Sequence, residues 1–417
     1  MHVLVISQYF WPENFRINDL VADLVQKGHQ VTVLTGKPNY PEGRVFEAYR
    51  RAPADFASYA GACVVRVPML ARGRGAVRLV LNYFSFALSA SLWGAWRLRK
   101  QRVDAILVHE PSPVTVGIPG AVLRWCKRAP MAFWVLDLWP ETLKAVGIVR
   151  SDWGLWLVGQ MVRWIYRRCD LILAQSKSFI PQIRRYAGDS ARIAYFPSWA
   201  ESLFAGNAAP RPAEELASAP GSFTVLFAGN MGEAQDFPGI LAAAEYLKDS
   251  QPHIRWVVLG DGRVKPWVEE AIAARKLASC VQLLGRFPVE RMPSFFQGAD
   301  ALLVSLKKEP IFAMTIPGKL QSYLAAGRPI VAMLDGEGAD LLDTHRAGLT
   351  CSAGDARGLA DAVLRLSMLA DASRAEMGRR GMALYEQEFE RSMLLRRLEA
   401  WLLRMAEPAP RGASRRP

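Results

Sequence analysis

The sequence is poor in the residues that would make it a disulfide-bonded, redox or metal-binding protein. It has five cysteines in 417 residues. Cys63, Cys126, Cys169, Cys280 and Cys351 lie far apart, with no CxxC pair and no zinc spacing, which fits reduced core thiols in a cytosolic setting. No GxGxxG follows the first apolar run; Gln8-Tyr-Phe-Trp-Pro-Glu13 stands there instead, so a dinucleotide oxidoreductase is not expected. A P-loop lysine motif and a GxSxG elbow are also missing. Met1–Ser7 has no basic region ahead of a cleavable apolar stretch, so it reads as a first strand rather than a signal peptide. No repeat with a period of about 20–50 residues is visible.

Negative charge is scarce too. Asp and Glu number 39 against 52 Lys and Arg, giving a formal net charge of +13. A chain this basic meets phosphates on nucleic acid, on anionic lipid or on a small molecule, or it carries a solvated basic face. Part of the excess (Arg411, Arg415, Arg416) sits in a tail, 407–417, expected to be disordered. With 51% hydrophobic and 22% charged residues, the rest has the balance of a globular protein, and its length favours two or three domains.

Leu79–Trp96 is an uncharged run rich in Leu, Phe and Trp. Arg72, Arg74 and Arg78 precede it; Arg97, Arg99 and Lys100 follow. A spanning helix needs about 20 mostly apolar residues and basic excess on one side. This run is shorter, contains Asn82 and serines, and is basic at both ends. A buried helix, an interfacial helix and a span are the three readings it leaves.

What the chain has in abundance is short apolar runs that end in polar loops. His2–Ser7, a helical pattern over Ile17–Lys27 stopped by Gly28, and Gln30–Thr35 predict a βαβ unit. Further strands are expected at Ala105–His109, Met131–Leu136, Leu171–Gln175 and Arg192–Phe196. An Ala-, Pro- and Gly-rich stretch within 201–222 reads as a linker. The second half follows the same pattern, with strands at Phe223–Ala228, Ile254–Leu259, Val281–Leu284, Ala301–Ser305 and Pro329–Leu334, and helices at Pro238–Lys248 and Gly318–Ala326. A last long helix is expected over roughly Arg374–Met405. The expected class is α/β, two doubly wound Rossmann-like domains facing across a cleft, with ligands at the carboxyl ends of the strands.

Several positions could carry chemistry. Gly229-Asn-Met-Gly232 lies between a strand and a helix, where small residues admit an anion to backbone N–H groups. Thr315-Ile-Pro-Gly-Lys319 opens another helix. A lysine in a first turn opposes the helix dipole, so an anionic ligand would account for it. Glu13, Asp137 and Glu141 follow strands, and His109 ends one. Any of these could face an acceptor, and a carboxylate there could orient or deprotonate a hydroxyl; a capping role is the competing reading for each. Asp335-Gly-Glu337 looks like an acidic pair, but reads as a turn.

Taken in order, these motifs resemble glycosyltransferase family 4. They are Gln8–Glu13, Leu24–Leu34 and Lys37–Pro41, then Phe227-Ala-Gly-Asn-Met-Gly232, Leu259-Gly-Asp-Gly262 and Pro317–Pro329. Trp11-Pro-Glu-Asn-Phe-Arg-Ile-Asn18 with Thr315–Lys319 is most similar to the WbuB/WcaI-like group, which builds O-antigen, capsule and colanic-acid repeat units. The resemblance implies a GT-B fold, with an acceptor-side domain over 1–200, a nucleotide-sugar domain over 223–385 and a closing helix over 386–406. It implies a retaining transfer from a UDP- or GDP-sugar, with deoxy and N-acetylated hexoses among the candidates, and no metal or other cofactor. The acceptor it implies is a polyprenyl-diphosphate-linked saccharide, used at the inner face of a bacterial membrane by a cytoplasmic protein held peripherally on anionic lipid.

The donor-binding positions it suggests are Gly229, Asn230, Gly232, Gln235, Arg286, Phe287, Thr315, Ile316, Pro317, Gly318, Lys319 and Ser322. Arg16, Asn18, His109 and Glu141 are the acceptor set, and Asp137, Glu13 and Lys319 the catalytic set. The chain departs from the family pattern in two respects. Two glutamates that many members carry are replaced by Met314 and Ser322, and the usual arginine and lysine after the strand at Phe227 appear as Asn230 and Gln235. Lys319 therefore carries more of the phosphate charge. Two other classes compete with this reading. One is a sugar-nucleotide epimerase of the same fold. The other is a basic nucleic-acid-binding protein, for which no RRM, KH or helix-turn-helix pattern is present.

Overall fold

A computed structural model describes residues 1–40, 43–73, 75–145, 147–204, 210–217 and 221–407. Residues 205–209 and 218–220 of the expected linker and the tail from 408 onward lie outside the described residues. The chain divides into two compact units: Met1–Phe196 joined by the segment from Ser392 onward, and Pro197–Arg391.

The first unit is built on eight strands: β1 (His2–Ser7), β2 (Gln30–Thr35), β3 (Ser58–Tyr59), β4 (Ala62–Arg66), β5 (Ala105–Glu110), β6 (Met131–Val135), β7 (Leu171–Ala174) and β8 (Ile193–Tyr195). Their order across the sheet is β3-β4-β2-β1-β5-β6-β7-β8. Every pair is parallel except β3 with β4. Strands such as Val3-Leu-Val-Ile6 and Ile106-Leu-Val108 are buried on both faces, which is why they read as unbroken apolar runs. From β4 the chain moves steadily to β8. Right-handed crossovers therefore place the helices Ala76–Arg97, Gly117–Lys127 and Asp152–Tyr166 together on one face of the sheet.

The second unit has six parallel strands: β9 (Phe223–Ala228), β10 (Ile254–Leu259), β11 (Val281–Gly285), β12 (Ala301–Ser305), β13 (Ile330–Met333) and β14 (Gly348–Cys351). Their order is β11-β10-β9-β12-β13-β14. Winding reverses between β9 and β12, so the loops leaving those strands part there and open a place for a ligand.

The expected long C-terminal helix is corrected. A helix runs over Asp371–Leu384, a π-helical turn over Tyr385–Phe389 breaks it, and a second helix runs over Arg391–Ala406. That second helix packs in the first unit, where Glu399 meets Lys27 at 3.0 Å and His29 at 2.8 Å and the Trp401 ring lies 5.9 Å from Phe196.

The apolar run 79–96 lies within the helix Ala76–Arg97, whose inner side buries Tyr83, Phe86, Ala87 and Ala90 against the unit. Among the described residues no helix is long and apolar enough to cross a membrane.

Candidate functional site

In the second unit, the loops after β9 and β10 approach so closely that only glycine fits. Gly260 has φ +140°, and a side-chain carbon on it would sit 1.8 Å from the Gly229 carbonyl oxygen. One on Gly262 would sit 2.4 Å from the Met231 oxygen. Gly229 N donates to Leu259 O at 2.9 Å and Met231 N to Asp261 O at 2.9 Å, fastening the loops as a pair. Gly229 itself, at φ +146°, lies against Lys319: an added side-chain carbon would be 2.6 Å from the lysine Cε. The glycines thus hold a backbone-walled ledge with the lysine lying across it.

Lys319 is in the first turn of the helix Gly318–Ala325, entered from the extended Pro317. Tyr323, one turn later, locks this helix to the end of β9. Its hydroxyl accepts from Ala228 N at 2.8 Å and donates to Ala228 O at 3.2 Å. The Lys319 ammonium lies 4.7 Å from the Phe227 ring centroid and donates to Gln235 Oε1. No carboxylate among the described residues pairs with it. Burial pushes its pKa down from 10.5 to about 8, because the charged form is the one that desolvation penalises. Gln235 is held in turn by Ser305, whose hydroxyl donates to the Gln235 carbonyl at 2.6 Å, while Lys307 N donates to Ala234 O at 2.9 Å. The result is a preorganised cation without a counter-ion among the described residues, beside glycine backbone at the strand-order switch.

The other donor-side residues divide. Gly318 is exposed with open space beside it, and Asn230 is exposed next to Gly232. Arg286 sits 3.5 Å from Asp261 on the loop after β10. Phe287 packs on Phe295 at 4.6 Å, with Arg291 over both rings. Three positions turn their side chains to structural use. Ile316 is buried, the Thr315 hydroxyl donates to Ile311 O at 2.8 Å, and the Ser322 hydroxyl donates to Glu201 at 3.1 Å. Asp335 accepts from Ala353 N at 3.0 Å, the geometry of a tied turn.

In the first unit, the structure gives Glu13, Asn18 and His109 other work than the sequence suggested. Glu13 is buried. One carboxylate oxygen accepts from Asn39 N at 2.7 Å and Tyr40 N at 2.6 Å, and the other from Phe10 N at 3.1 Å. It ties the loop after β2 to the loop after β1, which occupies the carboxylate. Asn18 closes the same turn, donating to Glu13 O at 2.7 Å and accepting from Trp11 N at 3.1 Å. His109 is 1% exposed, with Nδ1 3.0 Å from the Ser7 hydroxyl and its ring 5.3 Å from Trp134. Burial holds it neutral, pushed down to about 3. An acceptor sugar does not reach a side chain so enclosed.

Asp137 and Glu141 are different, because both remain partly exposed. Asp137 accepts from the Thr142 hydroxyl and from Trp139 Nε1 at 3.1 Å. Burial pushes its carboxyl up, against the pull of those donors. Glu141 accepts from the Tyr186 hydroxyl at 3.3 Å, and burial pushes it up as well. Arg16 is partly exposed at the start of its helix.

Sequence reasoning missed Glu110, which ends β5 beside β6. It is fully buried, accepts from Asp137 N at 3.3 Å, and its other oxygen has no partner. Burial and the neighbouring Asp137 push its carboxyl far above the ordinary range. Burial thus disfavours the charged form of Glu110, which accepts from the Asp137 amide, while Asp137 has the Thr142 hydroxyl and the Trp139 indole as donors.

Comparison with known proteins gives one family match in each half of the chain. A family model described as a glycosyl transferase 4-like domain matches residues 14–199, and one described as glycosyl transferases group 1 matches residues 222–368. The putative colanic acid biosynthesis glycosyl transferase WcaI of Escherichia coli (strain K12) is 24% identical over 343 residues, 78% of this chain and 82% of WcaI. The probable glycosyltransferase WbjE of Pseudomonas aeruginosa is 23% identical over 268 residues, 63% of this chain and 66% of WbjE. Among solved structures, Anabaena HepE in complex with UDP superposes with a TM-score of 0.69 at 13% identity, covering 97% of this chain and all of that one. Sucrose-phosphate synthase from Thermosynechococcus elongatus gives a TM-score of 0.72 at 16% identity over 97% and 98% of the two chains. These likenesses establish the GT-B fold.

Proposed function

The chain belongs to the glycosyltransferases that pair these two domains, and on that premise we propose that it transfers a sugar from a nucleoside-diphosphate donor during surface polysaccharide synthesis. The observation that carries the donor reading is Lys319, a cation that no carboxylate among the described residues pairs with, lying across the Gly229 ledge. When the bond between the sugar and the diphosphate breaks, negative charge grows on the leaving phosphates. A fixed ammonium and backbone N–H groups near a helix start stabilise that charge more in the transition state than in the ground state. Gly318, Asn230 and Arg286 are the further donor-side positions. We assign Asp137 and Glu141 to the acceptor, as carboxylates that bind its hydroxyls. The acceptor is a lipid-diphosphate-linked saccharide, the transfer retains anomeric configuration without a metal, and the enzyme works from the inner face of the bacterial membrane. The names of WcaI and its colanic acid role, and the UDP held by HepE, support this reading.

Thermal unfolding with added nucleotides tests the donor site. A ligand bound only to the folded state at a hundredfold excess over its Kd adds about 2.7 kcal/mol. UDP or GDP, whichever is the donor base, should raise the midpoint, and inorganic phosphate at equal concentration should not. No shift with either nucleotide would refute the donor assignment.

The pH profile follows from Lys319. With its pKa lowered to about 8, the free enzyme loses this cation as pH rises through 8, and kcat/KM for the donor should fall above that point. A bound diphosphate stabilises the ammonium, so the corresponding fall in kcat should lie at higher pH. Stability moves the opposite way. Below about 8 the lysine is charged in both states and the fold bears its desolvation, a penalty that fades as pH climbs from 8 toward 10.5. Steady-state rates between pH 6 and 10 check the profile.

A further inference from the structure

The helices Ala76–Arg97, Gly117–Lys127 and Asp152–Tyr166 form one layer, the first packed on the second and the second on the third. Their outer side is unusually apolar. Val77, Leu81, Phe84, Leu88, Leu92 and Trp96 are all exposed and recur every three or four residues, which puts them on one stripe of the first helix. Trp125 on the second helix is 81% exposed. Trp153, at 70%, lies with exposed Trp156 and Trp164 on the third. Scattered exposed apolar residues are ordinary, but a contiguous face across three helices marks an interaction surface.

Charge identifies what covers it. These helices have 22, 11 and 15 residues and contain one acidic side chain between them, Asp152. Each ends in basic residues: Arg97, Arg99 and Lys100 after the first, Arg128 after the second, Arg167 and Arg168 after the third. The strands that follow are adjacent and parallel, so the three helix ends gather at the same edge of the unit. The aromatics meet the cations there. Arg99 lies 4.8 Å from the Trp96 ring and Arg168 4.0 Å from the Trp164 ring. Indoles stacked under guanidinium groups beside an aliphatic stripe suit the boundary between lipid chains and headgroups.

We propose that this three-helix face lies flat on an anionic lipid bilayer, with the stripe at the acyl boundary and the basic edge on the phosphates. The proposal rests on the membrane-linked reading above and names the surface responsible for it. Each basic residue near an anionic surface is worth about 1 kcal/mol, roughly a fivefold change in partition.

Co-sedimentation of the full chain with phosphatidylcholine vesicles, with and without phosphatidylglycerol, tests it. The expected result is binding that requires phosphatidylglycerol and weakens with salt. A Trp96→Ser/Trp153→Ser/Trp156→Ser variant should lose at least tenfold in partition, and Arg99→Glu/Lys100→Glu/Arg167→Glu about a hundredfold. All six side chains are exposed, so unchanged thermal midpoints should accompany the loss, as should unchanged transfer to a soluble acceptor analogue. Wild-type protein that ignores both vesicles while still transferring sugar would overturn the membrane assignment alone. Vesicle binding that survives both variants would overturn this face. A dimer in solution that the tryptophan variant dissolves would show that a second copy covers it instead.

Discussion

Replacing Lys319 with alanine is expected to lower kcat for sugar transfer by about 10³-fold, in line with the loss of a single preorganised charge from an oxyanion site. The same change should leave the thermal midpoint where it is or raise it. This opposition of effects follows from the environment of the ammonium. It is partly buried, its neighbours are an aromatic ring and an amide oxygen, and no carboxylate among the described residues compensates it. Taking a desolvated, unpaired cation out of a fold relieves a penalty, while taking it from the donor site removes the charge the leaving diphosphate needs. Arginine should not substitute. The side chain lies against Gly229, with Cε 2.6 Å from where a Cβ would stand, so a planar fork has no room to seat. A variant that turns over at the wild-type rate would remove the phosphate role; one that unfolds would show that the lysine is needed for packing.

The second large effect is expected at Gly260. Alanine there meets two obstacles at once. Its φ of +140° is a conformation side chains rarely adopt, and its Cβ would collide with the Gly229 carbonyl at 1.8 Å. Backbone strain costs about 1–3 kcal/mol, and overpacking against atoms that cannot rotate away adds about 1–3 more. The loops after β9 and β10 must then separate, and Gly229 moves from beneath Lys319. Gly260→Ala should lower the midpoint by about 10 °C and abolish the stabilisation by nucleotide. Gly354→Ala, also at positive φ but with no atom within 4 Å of the new carbon, serves as the control: it bears the strain without the collision and should keep nucleotide binding.

Lys319 was legible in the sequence because a lysine in a first helical turn runs against the dipole and asks for an anion. The parallel strands were legible because strands buried on both faces are short apolar runs stopped by polar loops. β3, β4 and β14 were not. Ala62-Cys-Val-Val-Arg66 alternates only weakly beside the two-residue edge strand β3, and Gly348-Leu-Thr-Cys351 is short and half polar, as its edge position allows. The break at Tyr385–Phe389 has no glycine or proline to announce it. In the first unit, residue type and position pointed to Glu13, Asn18 and His109; Asn18 closes a local turn, while what Glu13 and His109 do depends on contacts made across the fold. Glu13 meets amides 26 and 27 positions away, and His109 meets a serine 102 positions away. Glu110 is the converse. It sits at the same strand end as His109 and looked like an ordinary loop start, and only its burial beside Asp137 sets it apart.

The helix Arg391–Ala406 completes the first unit after the second has been made. Leu394, Leu395, Leu398 and Leu402 are buried, and Glu399 receives Lys27 and His29. During synthesis the ribosome releases residues 1–196 long before their final helix exists. The first unit must wait, with one apolar surface uncovered, until nearly two hundred further residues have emerged. Folding of the first unit is therefore closed by the helix Arg391–Ala406, and a stop codon just before Arg391 would leave the earlier-made half unfinished.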